Sequence, residues 1–246
     1  LVKWTYTGTK TTTVDIRYDT NGGAGGYPGT QVIATLQAIA NGATGVTWGP
    51  IPDLGINANM KVKVFDPAFT EVAGESPAFK VHPGITLTAP LGGVNRTANT
   101  TMTLSWTYTS ASANVGNVNV YYDLNSGLGA DGIDGNADDM TLIGTQLSTN
   151  CSAGACSYTW DGVTPQPALV DNVLNTARIQ VKSASDADIM NEGTDFKLGA
   201  QVSNLQPTNG AVILAGSTST SVTWTKDKGL SNATKMKIEY TNNVSN

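Results

Sequence analysis

Charge is scarce in this chain: only 13% of its 246 residues are Asp, Glu, Lys or Arg, and the formal net charge is −5. No basic stripe is present to neutralise phosphates, which excludes nucleic acid as a main partner. Hydrophobic residues still make up 39%, so the chain is not one kept unfolded by self-repulsion. Long apolar runs are missing as well: none approaches the roughly eighteen residues of a membrane-spanning helix, and no signal peptide opens the sequence. Histidine occurs once, as His82 in Val81-His-Pro-Gly84, and reads as a linker residue. A histidine-based triad or metal site lacks its other members. Neither a G-x-S-x-G elbow, a phosphate loop nor an H-E-x-x-H helix appears. The composition excludes much and names nothing.

What the chain does have is repetition. Three segments, beginning at Leu1, Leu104 and Val222, each place a tryptophan strand (Trp4, Trp106, Trp224) before a second strand ending in Tyr18, Tyr122 or Tyr240. Met60–Val81 aligns without gaps to Ala177–Leu198 at an offset of 117, and Pro90-Leu-Gly-Gly93 matches Pro207-Thr-Asn-Gly210 at the same offset. Self-similarity at a domain-sized period signals tandem copies of one module. The expected division is 1–83, a module without its first strand; 84–199, a complete module; and 200–246, the start of a third. Such a chain is expected to be cut from something longer and to leave unpaired strand edges, which invite association.

The fold class expected is all-β. The 34 Thr and 27 Gly suit strands and turns respectively. Period-two alternation puts Met102, Leu104, Trp106 and Tyr108 on one buried face, and Val118, Val120 and Tyr122 on another. Between Gly84 and Gly199 the pattern predicts seven strands: 85–88, 102–108, 117–122, 141–147, 157–160, 177–182 and 195–198. That is the count of an immunoglobulin-like sandwich, about seven strands per complete module. The tryptophans are expected to fill cores, with Trp48 and Trp160 the two placed near strand ends where exposure is possible.

The motifs Ile85-x-Leu-x-x-Pro-x-Gly-Gly93, Leu104-Ser-Trp106, Val118-x-Val-Tyr-Tyr122, Thr-x-Trp160 and Ala177-Arg-Ile-x-Val181 resemble those of bacterial and archaeal extracellular Ig-like repeats. They are similar to the Ser/Thr-rich GPI-anchored-type Ig-like family and, more loosely, to fibronectin type III modules. The resemblance covers essentially the whole chain and implies stalks or spacers of surface-layer proteins, adhesins and secreted enzymes.

Three further features bear on function. Cys151 and Cys156 lie five apart on a Gly/Ser loop between predicted strands, and a bridge there suits an oxidising compartment; free thiols are the alternative. Five N-x-Ser/Thr triplets, at Asn95, Asn99, Asn150, Asn232 and Asn243, permit glycosylation, although 21 Asn and 50 Ser or Thr produce about four by chance. The loop after Tyr122 is six residues longer than its counterpart after Tyr18, and the addition holds Asp131, Asp134, Asn136, Asp138 and Asp139. Hard oxygens on a Gly-punctuated loop fit calcium, with Asp123 and Asn125 as further ligands if the hairpin folds back. A solvated acidic turn is the alternative.

The carboxylate pairs Glu71/Glu75 and Asp186/Asp188 raise a glycosidase, but of these loops only Glu75 and Glu192 match between copies, so no catalysis is expected. The functional expectation is a non-catalytic structural segment of a longer extracellular or cell-surface protein, partnered by itself or by neighbouring repeats. The alternative is a carbohydrate- or partner-binding module attached to a secreted enzyme or adhesin.

Overall fold

The computed structural model describes residues 1–8, 11–39, 42–124, 140–152, 154–163, 166–170, 173–208, 211–216, 219–228 and 237–239. Strands dominate it. The chain divides into two compact units, Leu1–Pro83 and Gly84–Asn246.

In the first unit the strands are β1 (Val2–Tyr6), β2 (Thr13–Asp19), β3 (Val32–Ala38), β4 (Gly42–Val46), β5 (Asn57–Phe65), β6 (Ala73–Glu75) and β7 (Phe79–Val81). β1 pairs with β4 in a two-stranded antiparallel sheet. The other sheet runs β3-β2-β5-β6, with β7 also on β5. Val14, Ile16 and Val62 form a small buried centre, against which Trp4, Tyr18, Trp48 and Phe79 pack half-buried.

The second unit contains β8 (Ile85–Ala89), β9 (Asn95–Thr97), β10 (Met102–Tyr108), a short helix α1 (Ser112–Val115), β11 (Val118–Asp123), β12 (Thr141–Gln146), a 3-10 turn at Ser148–Asn150, β13 (Ala155–Trp160), β14 (Leu174–Ser183), β15 (Met190–Glu192), β16 (Phe196–Gly199), β17 (Gln201–Gln206) and β18 (Thr223–Lys228). One sheet runs β13-β10-β8; the other runs β12-β11-β14-β16-β9, with β15 on β14. Their inward faces meet in one core of Leu87, Leu104, Trp106 and Trp160 from the first sheet and Val120, Ile179, Val181 and Phe196 from the second. This is a sandwich-like arrangement, with alternate residues buried as a pleat requires. All seven strands expected between Gly84 and Gly199 are present, each within three residues of its expected ends.

Two strands carried no signal. β9 is Asn-Arg-Thr and joins the sheet edge parallel to β16 through backbone pairing alone, Arg96 opposite Leu198. β15 is Met-Asn-Glu, with only Met190 apolar, and that side chain faces solvent. Edge strands of three residues are too short for alternation to register.

The two units share a pairing scheme. Tyr18 faces Val62 across β2 and β5, and Tyr122 faces Ile179 across β11 and β14. Lys63 faces Glu75 as Gln180 faces Glu192, and Met60 faces Phe79 as Ala177 faces Phe196, each at an offset of 117. Even the exit from the central strand recurs: Ser76 N–H donates to the Val62 carbonyl at 2.8 Å, and Gly193 N–H to that of Ile179 at 2.9 Å. Tyr18 lies against Trp48 (ring centroids 5.1 Å apart) just as Tyr122 lies against Trp160 (4.7 Å).

Candidate functional site

The site begins with β1. Alternation along Val2-Lys-Trp-Thr-Tyr6 turns Val2, Trp4 and Tyr6 inward and leaves Lys3 and Thr5 exposed. In the second unit the equivalent strand, β10, is flanked on both edges, by β13 and by β8. Among the described residues the strand paired with β1 is β4.

Beside β1 lies a groove of about 380 Å³. Its walls are Val2, Trp4 and Tyr6 of β1, Val62 and Val64 of β5, and the exposed β6 from Ala73 to Glu75. Among the described residues the charged ones lining it are Lys3 and Glu75. Trp4 Nε1 is buried in this wall without an acceptor among the described residues. Tyr6 turns its hydroxyl to the Thr11 N–H at 3.0 Å. A trough with largely apolar walls is chemically suited to apolar side chains.

The second unit shows what such a groove holds. There β8 lies antiparallel to β10, Leu87 opposite Trp106 and Ile85 opposite Tyr108. Leu87 N–H donates to Asn191 Oδ1 of β15 at 2.8 Å. The approach is so close at Gly193 that a Cβ there would stand 2.8 Å from Leu87 Cδ2. At the 117-residue offset, Asn191 and Gly193 correspond to Gly74 and Ser76, which line the groove of the first unit.

The residues singled out from the sequence are not gathered here. Cys151 and Cys156 form a disulfide, with Cα atoms 4.7 Å apart. Cys156 is buried opposite Trp106, and Cys151 Sγ stands 3.5 Å from the Tyr108 hydroxyl, which itself accepts from Trp106 Nε1 at 2.7 Å. The bridge therefore closes one end of the second core. Burial pushes the Tyr108 hydroxyl upward in pKa, against the pull of the Trp106 hydrogen bond. Asn95, Asn99 and Asn150 are exposed; Asn232 and Asn243 lie outside the described residues. So do Asn125 and the whole acidic run Asp131, Asp134, Asn136, Asp138 and Asp139, whereas Asp123 at its root is buried.

Trp160 is only 4% exposed and donates through Nε1 to the Pro167 carbonyl at 2.9 Å, so it offers no open face to a sugar. Trp48 is half-buried against Tyr18. Glu192 clamps strands: it takes Arg178 Nη1 at 2.9 Å and Gln180 Nε2 at 3.2 Å, while Asp195 takes Arg178 Nε. Those carboxylates push the guanidinium pKa higher, Asp195 most. Glu75 holds the corresponding place with Lys63 at 3.8 Å. Asp186 accepts from the Asp188 N–H at 3.1 Å, as a turn residue does. His82 Nδ1 lies 2.9 Å from the Pro83 carbonyl, a contact that places a proton on that nitrogen. Asp19, 2% exposed, is wrapped by its own loop, accepting from the N–H groups of Asn21 (2.7 Å) and Gly23 (2.8 Å). A Cβ at Gly25 would stand 2.2 Å from its Oδ2. No group of three or more His, Cys, Asp or Glu able to hold a metal occurs among the described residues, and no helix among them is long and apolar enough to cross a membrane.

No family model, curated protein or solved structure matches the chain. The groove was the feature least visible from sequence. Its walls come from β1, β5 and β6, which only folding brings together.

Proposed function

We propose that this chain is a non-catalytic structural segment of an extracellular protein, built from tandem immunoglobulin-like modules that self-associate into a stalk, filament or surface layer. The observation that carries this reading is the pairing scheme repeated at a fixed 117-residue offset. The same residues meet across β5, β6 and β7 as across β14, β15 and β16. A three-stranded sheet β13-β10-β8 facing β12-β11-β14-β16 agrees with the two-sheet immunoglobulin plan. The Cys151–Cys156 bridge supports an oxidising, extracellular compartment. The burial of Trp106 and Trp160 supports a core role for them over a carbohydrate platform. Calcium at Asp131–Asp139 belongs to the same reading, as a brace on a long hairpin.

Electron microscopy of the intact 246-residue chain, with sedimentation across a wide range of concentration, tests it. Ordered fibres or sheets, or growth of the particle with concentration, are expected. A chain that stays monomeric throughout would remove self-association from the proposal.

A further inference from the structure

Among the N-x-Ser/Thr triplets of the described residues, the one at Asn95 stands beside a groove whose chemistry suits a sugar. We infer that Asn95 carries an N-linked glycan and that its first sugars lie in the hydroxyl-lined groove bounded by β9 and β10. The modification rests on the extracellular reading proposed above, because a glycan of this kind is added on the way out of the cell.

Asn95-Arg-Thr97 is an extended strand, so Asn95 and Thr97 turn to the same side of β9. Asn95 is exposed and Thr97 half-buried. The backbone on either side is pinned to β16: Lys197 N–H donates to the Val94 carbonyl and Ala98 N–H to the Gly199 carbonyl, each at 2.9 Å. Both groups that define the triplet, the carboxamide and the hydroxyl two residues on, line one groove.

The other described triplets are arranged differently. Asn99 has a left-handed backbone, φ 50°, which takes it out of line with Thr101. It lines a narrow cavity of about 10 Å³ instead. Asn150 ends a 3-10 turn just before the disulfide-bonded Cys151, and the hydroxyl of its Ser152 donates to the Ala155 carbonyl at 3.4 Å.

The groove beside Asn95 encloses about 580 Å³, within the range of small-molecule sites. Thr101, Thr103 and Ser105 alternate with the buried Met102 and Leu104, so their hydroxyls turn outward into it. Met102 adds apolar surface, and Arg96 is the charged residue lining it among those described. A sugar ring presents hydroxyls around C–H groups, and this wall offers donors, acceptors and an apolar patch in return. Attachment at Asn95 makes the contact intramolecular, so individually weak contacts suffice.

The transfer needs a lipid-linked glycosyl diphosphate as donor. A bond forms between Asn95 Nδ2 and the anomeric carbon, and the bond from that carbon to the diphosphate oxygen breaks. Nδ2 loses one proton, the lipid diphosphate leaves with the electron pair, and nothing is oxidised or reduced.

The test takes the full protein from its own cells, separated into internal and surface or secreted fractions, and maps glycopeptides by mass spectrometry. Asn95 is expected to carry sugar. Asn95→Gln and Thr97→Val are expected to abolish that mass and Thr97→Ser to keep it, with circular dichroism checking the fold. Enzymatic removal of the glycan is expected to lower the melting temperature of the second unit. Thr103→Trp, which fills the groove from an exposed position, is expected to keep the glycan but cancel that difference.

A chain found only inside the cell and bare of sugar removes this modification together with the extracellular reading. A surface or secreted chain with Asn95 bare, whether or not Asn99 or Asn150 is modified, overturns the modification alone. A glycan on Asn95 whose removal leaves melting unchanged overturns its seat in the groove.

Discussion

The two units pair their strands alike, yet they bury their first tryptophan strands to different degrees. β10 alternates buried and outward residues along its whole length, whereas its counterpart β1 has no fully buried residue. The central strands differ less: Val62 and Ile179, at matching positions, are both buried. What separates the units is β8, which pairs with β10, bonds to Asn191 and puts Leu87 against Gly193. A sandwich thus depends on its first strand for more than one sheet edge. In the second unit that strand helps seal the gap between the sheets over Trp106.

The sharpest way to break this comparison is to truncate the paired tryptophans. Trp106→Ala is expected to cost about 3–5 kcal/mol, because a fully enclosed indole leaves a cavity that cannot collapse. Trp4→Ala should cost only about 1–2 kcal/mol, the share of a side chain still partly in water. Chemical denaturation of the full chain, read for each unit, measures both. Equal losses would mean that the groove is closed in solution.

Calcium comes next. The loop of the first unit satisfies Asp19 with its own backbone N–H groups. If the longer Asp131–Asp139 loop is braced by calcium, a hundredfold excess over Kd adds about 2.7 kcal/mol to the second unit alone. Calorimetry with calcium and with chelator reads it, and Asp134→Asn with Asp138→Asn should remove the response. Identical melting in both conditions rules calcium out.

Reducing the Cys151–Cys156 bridge, or replacing both cysteines with serine, is expected to lower the second unit by about 2 kcal/mol, as suits a short closed loop. The first unit should melt unchanged. A shift in both would mean that the units do not unfold independently.

The smallest effect separates the units by pH. Burial, then the neighbouring Glu75 carboxylate, pushes the Tyr27 hydroxyl from 10 up to about 12. Its protonated form is the one favoured by the fold, so its contribution is whole below pH 10 and lost as pH rises to about 12. Unfolding titrations over that range should show the first unit weakening, and Tyr27→Phe should flatten its profile. An unchanged profile in the variant would assign the weakening to other groups.

Much of this was legible in the residues themselves. Alternation placed Met102–Tyr108 residue for residue, because a pleat with one buried face writes its period into the side chains. The five-residue Cys spacing anticipated a bridge that is present. The repeat at 117 residues anticipated which positions correspond, and the pairings across β5 and β14 follow it.

β9 and β15 were not legible, since three residues are too few for alternation to show, and the side-chain bonds of Asn191 and Glu192 in β15 reach residues distant in the chain or on the neighbouring strand. Which tryptophan ends up buried was not legible either. Trp4, Trp106 and Trp224 sit in closely similar strands, yet Trp106 is enclosed while Trp4 and Trp224 are half-buried. The sequence by itself determined where strands run, which face of each turns inward and which cysteines join, because those are properties of neighbouring residues. Tertiary structure alone decided which edges are covered, because the cover comes from segments distant in the chain. Leu87 N–H finds Asn191 Oδ1 across 104 positions of the chain.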